Sequence, residues 1–179
     1  MRLDTITRVA SALDARSFIR IDWQGEAADR LLDADHAGLV EHVLLLLRRA
    51  GWDVVPEVTY AIGGERGSLD ILAWHPSTST VLVVEVKTVV PDVQAMLATF
   101  DRKVRHVEQI ARARGWRPVR VAQLLVVAES RTSRRRVDAH ATTFVARFPH
   151  GATEARRLIA QPAAWPLDRP TLRGVVLVT

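Results

Sequence analysis

Apolar positions recur along this chain at two spacings, and the switch between them marks the predicted elements. Leu3, Ile6, Val9, Ala10 and Leu13 follow a helical period. Ser17 to Trp23 then alternates, with Ile19, Ile21 and Trp23 on one face, as a strand would. Gln24-Gly25 breaks that pattern, so residues 1–30 read as a helix–strand extension without chemistry of its own, and residues 31–179 as the main domain. Asp33 or Asp35 is placed to cap a helix that reaches Ala50, with Gly51 as its stop. Its apolar positions, Ala37, Leu39, Val40 and Val43 to Leu47, go nearly all the way round, which predicts a well-buried helix. Trp52 to Tyr60 reads as the first core strand, and Pro56 within it predicts an edge position or a bulge.

The stretch GERGSLDILAWHPSTSTVLVVEVKT, from Gly64 to Thr88, predicts a hairpin. Leu69 to Trp74 is apolar apart from Asp70, and Val81 to Val86 is apolar apart from Glu85, with Lys87 next. His75 to Thr80 supplies the turn. If Trp74 faces Val81, Asp70 faces Glu85. Directly opposed Cβ atoms lie ~4.5–5.5 Å apart on an antiparallel pair, and like charges there repel. Side chains alternate faces, so Lys87 shares the face of Glu85. A bound divalent cation would make the two carboxylates compatible, since hard cations take carboxylate oxygens.

Past the hairpin, Pro91-Asp92 opens a helix that runs to about Arg114, with Gly115 as its stop. Val93, Met96, Leu97, Phe100, Val104, Val107 and Ala111 form its buried stripe. Arg102, Lys103, Arg105, His106, Gln109 and Arg112 occupy the other face, which is either simply solvated or in contact with phosphates. Val121 to Ala128 is apolar throughout and predicts a central strand. Thr132 or Ser133 caps a further helix, with Val137, Ala141, Phe144 and Val145 inward. A short helix over Thr153 to Ala160, a Pro-rich loop and a last strand over Arg173 to Thr179 complete the chain.

Composition adds three constraints. The 179 residues contain no cysteine, which excludes disulfides and thiolate metal sites. No apolar run approaches the length of a membrane span or a secretory leader, so a cytoplasmic protein with no membrane partner is expected. The net charge of +5 favours a polyanionic partner. Of 25 basic residues only Lys87 and Lys103 are lysines, so most of the excess reflects an Arg-rich composition. A chain that writes almost every cation as Arg has Lys at position 87, inside a strand. Lysine is a compact point charge whose pKa shifts on burial, and Arg is no substitute for it there. Arg131, Arg134, Arg135 and Arg136 cluster at a helix start, where the dipole is already positive. They read equally as an anion-attracting patch and as a solvated run.

The Asp70–x(14)–Glu85-Val86-Lys87 pattern resembles the PD-(D/E)xK superfamily, the restriction-endonuclease-like fold. The wording GERGSLDILAW…LVVEVKT looks especially like the YraN-type endonuclease-like proteins and, more loosely, archaeal Holliday-junction resolvases. The likeness covers about residues 33–130. It departs from the family pattern at one point, because Leu69 rather than Pro precedes Asp70.

The resemblance implies an α/β fold with an αβββαβ core and a mixed central sheet flanked by helices. It implies a metal-dependent DNA endonuclease, with structure-selective cleavage among its forms. Asp70 and Glu85 would bind Mg²⁺ or Mn²⁺ with the Val86 carbonyl, and Lys87 would orient or help deprotonate the attacking water. Glu41, on the first helix, would match an acid that binds metal directly or through water. Gln94 matches a glutamine that some members carry after the motif. Arg131, Arg134, Arg135, Arg136, Lys103 and Gln94 would face DNA, and a homodimer is an arrangement in which such nucleases often cut two strands.

Two other readings stay open. One is a nuclease fold kept for nucleic-acid binding or regulation with little turnover, since fold does not guarantee activity. The other treats Glu85 and Lys87 as a structural ion pair, which leaves Asp70 opposite Glu85 to be explained. Glu57, in the first strand, reads as a solvated acid. No nucleophile elbow, Gly-rich phosphate loop or zinc-ligand spacing is present.

Overall fold

The computed structural model describes residues 12, 26–90, 92–165 and 171–178. The predicted helix over Leu3 to Leu13 and strand over Ser17 to Trp23 lie outside the described residues, apart from Ala12. The chain divides into two compact units, Met1–Leu31 and Leu32–Thr179, and the sheet belongs to the second.

Helix α1 (Glu26–Arg49) leads into three strands, β1 (Asp53–Ile62), β2 (Glu65–His75) and β3 (Thr80–Lys87). Helix α2 (Val93–Ala113) and strand β4 (Arg120–Ala128) follow. Three short helices, α3 (Arg131–Ala139), α4 (Ala141–Arg147) and α5 (Ala152–Ala160), precede the last strand, β5 (Arg173–Val178). The five strands form one mixed sheet in sequence order. β1–β2 and β2–β3 are antiparallel, and β3–β4 and β4–β5 are parallel. The parallel step from β3 to β4 requires a crossover, and α2 provides it.

Alternation along the strands sorts the core into two layers. Leu72, Trp74, Val81, Val83, Leu125 and Val127 pack against the α2 stripe and against Phe144 of α4. Ile71, Ala73, Leu82, Val84, Leu124 and Val126 pack against Val43, Leu44 and Leu47 of α1 and Leu158 of α5. β3 is buried along its whole length except Lys87, as a strand covered on both faces must be.

The hairpin turn is a 3₁₀ turn over Pro76–Thr78, closed by Ser79 in the left-handed region. It sets Trp74 opposite Val81 and Ile71 opposite Val84, the expected register. β1 is an edge strand, which is where Pro56 can be tolerated. Asp92 caps α2 by accepting from the Ala95 amide at 3.0 Å, and Gly115 follows the helix with φ 82°.

Several expectations need correction. Neither Asp33 nor Asp35 caps α1, which begins at Glu26 and carries both within it. α1 is not buried all round: Leu45 and Leu46 are 45% and 43% exposed. It packs only a narrow stripe on the sheet, and its apolar excess faces outward. The helix expected from Thr132 or Ser133 is capped instead by Ser130, whose hydroxyl accepts from the Ser133 amide. It breaks at His140, so Phe144 turns inward while Val145 stays 66% exposed. Lys103 and His106 are not part of a solvated helix face, since their side chains are 13% and 16% exposed.

Candidate functional site

The β2–β3 ladder runs from His75↔Thr80 to Ile71↔Val84 and goes no further. At its end the Asp70 carboxylate takes over a backbone partner, Oδ2 accepting from the Val86 amide at 2.7 Å. The β1–β2 ladder also passes over this point, pairing Pro56 with Ile71 and then Val58 with Leu69. Glu57, the residue passed over on β1, has a positive φ of 50°, strained for a residue with a side chain. Asp70 therefore stands in a gap between strands, open toward both faces of the sheet.

On the α2 face, Glu85 is 1% exposed. Lys87 lies two residues on and reaches it, Nζ to Oε1 at 2.8 Å. The second cation comes from Lys103 on α2, whose Nζ is 2.9 Å from Oε1 and 2.7 Å from Oε2. The same ammonium is 3.9 Å from Asp70 Oδ1. Two carboxylates and two ammoniums thus converge, with formal charges that cancel. Burial pushes the Asp70 carboxyl above its usual range, and the Glu85 charge pushes it further. The Val86 amide, Lys103 and Lys87 pull it back.

Asp70, Glu85 and Lys87, the residues singled out from the sequence, are therefore brought together. Lys103 joins them, although its pattern places it among solvent-facing cations. It sits one turn past Thr99 at the border of the buried stripe, where helical periodicity does not say which way a long side chain bends. Glu41 is exposed on α1. It shares a cavity of 370 Å³ with Asp33, His36, Glu57 and Asp70, on the opposite side of the sheet from Glu85. Glu57 thus faces the same space as Asp70 and Glu41. Its alternation pattern could not reveal this, because the backbone departs from a regular strand there.

The remaining candidates stand apart. Gln94 is exposed in the first turn of α2. Arg131, Arg134 and Arg135 are exposed at the start of α3, and Arg134 is ion-paired with Glu129. That acid precedes the helix and offsets part of the unfavourable charge at its N-terminus.

The donor set can be tested for a divalent ion. Lys103 Nζ already sits within ion-pair distance of both Asp70 and Glu85, so the two acids can address one cationic centre. Two carboxylates suffice for Mg²⁺, which keeps several of its waters. The residues fit the ion if Lys103 yields its place. Among the described residues, no group of three or more acids and histidines is placed to hold a metal ion. Among them too, no helix is long and apolar enough to cross a membrane.

A comparison with protein-family models finds no match to this chain, and a comparison with curated proteins finds none either.

Proposed function

We propose that this protein hydrolyses phosphodiester bonds in DNA in a metal-dependent way, on a restriction-endonuclease-like core. The helix, three-strand, helix, strand order and the mixed sheet support that core. The observation that carries the reading is the convergence of Asp70, Glu85 and Lys87 where β2 and β3 part. Asp70 and Glu85, with the Val86 carbonyl, would hold Mg²⁺ or Mn²⁺. When bound, such an ion neutralises phosphate charge and lowers the pKa of its water. Lys87, the most exposed of the four groups at 33%, is the one able to reach an incoming phosphate. Its ammonium would shield the charge that grows on the phosphoryl oxygens. Lys103 would keep the Glu85 carboxylate oriented until the ion arrives.

The test is a cleavage panel of single-stranded, duplex, flap and four-way-junction DNA, with RNA alongside, in Mg²⁺, Mn²⁺ or EDTA. Cleavage that requires the metal and falls on the order of 10²–10³-fold in Lys87→Ala is the expected result. Metal-independent cleavage, or an undiminished Lys87→Ala variant, would refute the mechanism.

One observation favours a second reading, a binding or regulatory module with little turnover. Both Glu85 oxygens are already held by lysine, so the cluster is electrostatically complete without an ion. Failure of every substrate in the panel, with nucleic-acid binding retained, would select it.

A further inference from the structure

Beside the carboxylate–lysine cluster lies a second cavity of 310 Å³, lined by Tyr60, Glu65, Arg66, Gly67, Thr99, Arg102 and Lys103. Lys103 is common to both: its ammonium holds Glu85 while its side chain forms part of the cavity wall. The charges in this wall do not balance. Glu65 is already engaged, by Arg105 at 3.0 Å and by His106 Nε2 at 2.7 Å, both outside the cavity lining. Arg66 and Arg102 have no carboxylate partner among the described residues. Two arginines without a carboxylate partner among the described residues therefore line a cavity whose only acid is already engaged.

The hydroxyls point the same way. Arg102 donates to Thr99 Oγ1 at 3.1 Å, so the hydroxyl accepts there and keeps its own proton for another acceptor. The Tyr60 phenol makes no hydrogen bond among the described residues, and burial together with Glu65 holds its proton more firmly than usual. Its position depends on Gly67, where an added Cβ would come within 2.6 Å of the phenol oxygen. Two planar cationic forks and two hydroxyl donors suit a tetrahedral anion with several oxygens.

We propose that this cavity is a phosphate subsite, occupied by a backbone phosphate of a nucleic-acid strand next to the phosphate that faces Lys87. The choice of a polynucleotide over a free phosphorylated molecule rests on the proposed nuclease function. The cavity is open at Arg66 and Arg102, both exposed, so a strand can pass across it.

The experiment measures binding of a fluorescein-labelled oligonucleotide, single-stranded and duplex, by anisotropy in EDTA over a salt series. Arg66→Gln/Arg102→Gln should flatten the slope of log affinity against log salt by about 0.7 per lost contact on single strands and 0.9 on duplex. Gly67→Ala, which displaces Tyr60, should weaken binding with the slope kept. Arg112→Gln removes a cation already paired with Glu108 on the exposed side of α2 and should change neither. An unchanged slope in the double variant overturns the proposal, as does an equal loss in Arg112→Gln. Wild-type protein that takes up inorganic phosphate in a thermal-shift titration but fails to bind either oligonucleotide overturns the assignment to nucleic acid.

The binding measurement in EDTA does not depend on metal-dependent cleavage, so the two readings fail separately. A flattened slope with no metal-dependent cleavage keeps the subsite and removes hydrolysis. Cleavage with an unchanged slope does the reverse.

Discussion

Asp70 has two obligations. One oxygen accepts from the Val86 amide, and the other faces Lys103 across a longer gap. Because its folded pKa is raised, ionisation costs folding free energy. Below the unfolded pKa both states are protonated and the cost vanishes. It grows as pH rises toward the folded pKa and is complete above it. Asp70→Asn keeps an oxygen for Val86 and removes the charge. It should therefore match wild type below about pH 3 and exceed it in urea-unfolding stability at pH 7, while losing any metal-dependent activity. Equal stabilities at both pH values would show that the repulsion is fully relieved by lysine. The neighbourhood of Asp70 and Glu85 was legible in the sequence, because the short turn between Trp74 and Val81 fixes the register of the two strands. Glu57 was not legible, because its position depends on one backbone angle that no side-chain pattern encodes.

At the scale of elements, α2 both covers the sheet and completes the charged cluster. Phe100, fully buried, fixes the helix against the core three residues before Lys103. Phe100→Ala should cost ~3–5 kcal/mol in chemical denaturation and loosen the cluster with it. Lys103→Met should cost ~3–5 kcal/mol, since it leaves Glu85 buried with Lys87 alone. Mn²⁺ should then restore more thermal stability to Lys103→Met than it adds to wild type, because the ion no longer competes with an ammonium. Equal shifts would mean that the two cations do not share a position. Helix α2 was readable in its cap, stripe and stop, whereas its contribution to the site was hidden. Lys103 lies far from Glu85 in sequence, and an amphipathic border residue can face either way. The same ambiguity works in the opposite direction in α1, where a broad apolar surface suggests burial although Leu45 and Leu46 face outward.

Across the molecule, the net charge of +5 is not spread as its residue count suggests. The α3 run is partly answered by Glu129, whereas Arg66 and Arg102, in the cavity beside α2, have no carboxylate partner among the described residues. Changing Arg134, Arg135 and Arg136 together to Ala should therefore flatten the salt dependence of DNA binding by less than three phosphate contacts, each worth about 0.9 on duplex. A loss equal to all three would show that Glu129 releases Arg134 in the complex. The order of the elements and the direction of the hairpin could be read along the chain. The parallel placement of β4 and β5, and the division of helices between faces, required the folded chain, since no local pattern distinguishes one neighbour strand from another.

The Val86 amide belongs to a carboxylate side chain where a neighbouring strand would ordinarily have claimed it. Anything that draws Asp70 toward a guest must leave that N–H without its acceptor or let water in to replace it. Occupancy would then be written into the backbone itself, as faster deuterium uptake at one mid-sheet position that is otherwise sealed.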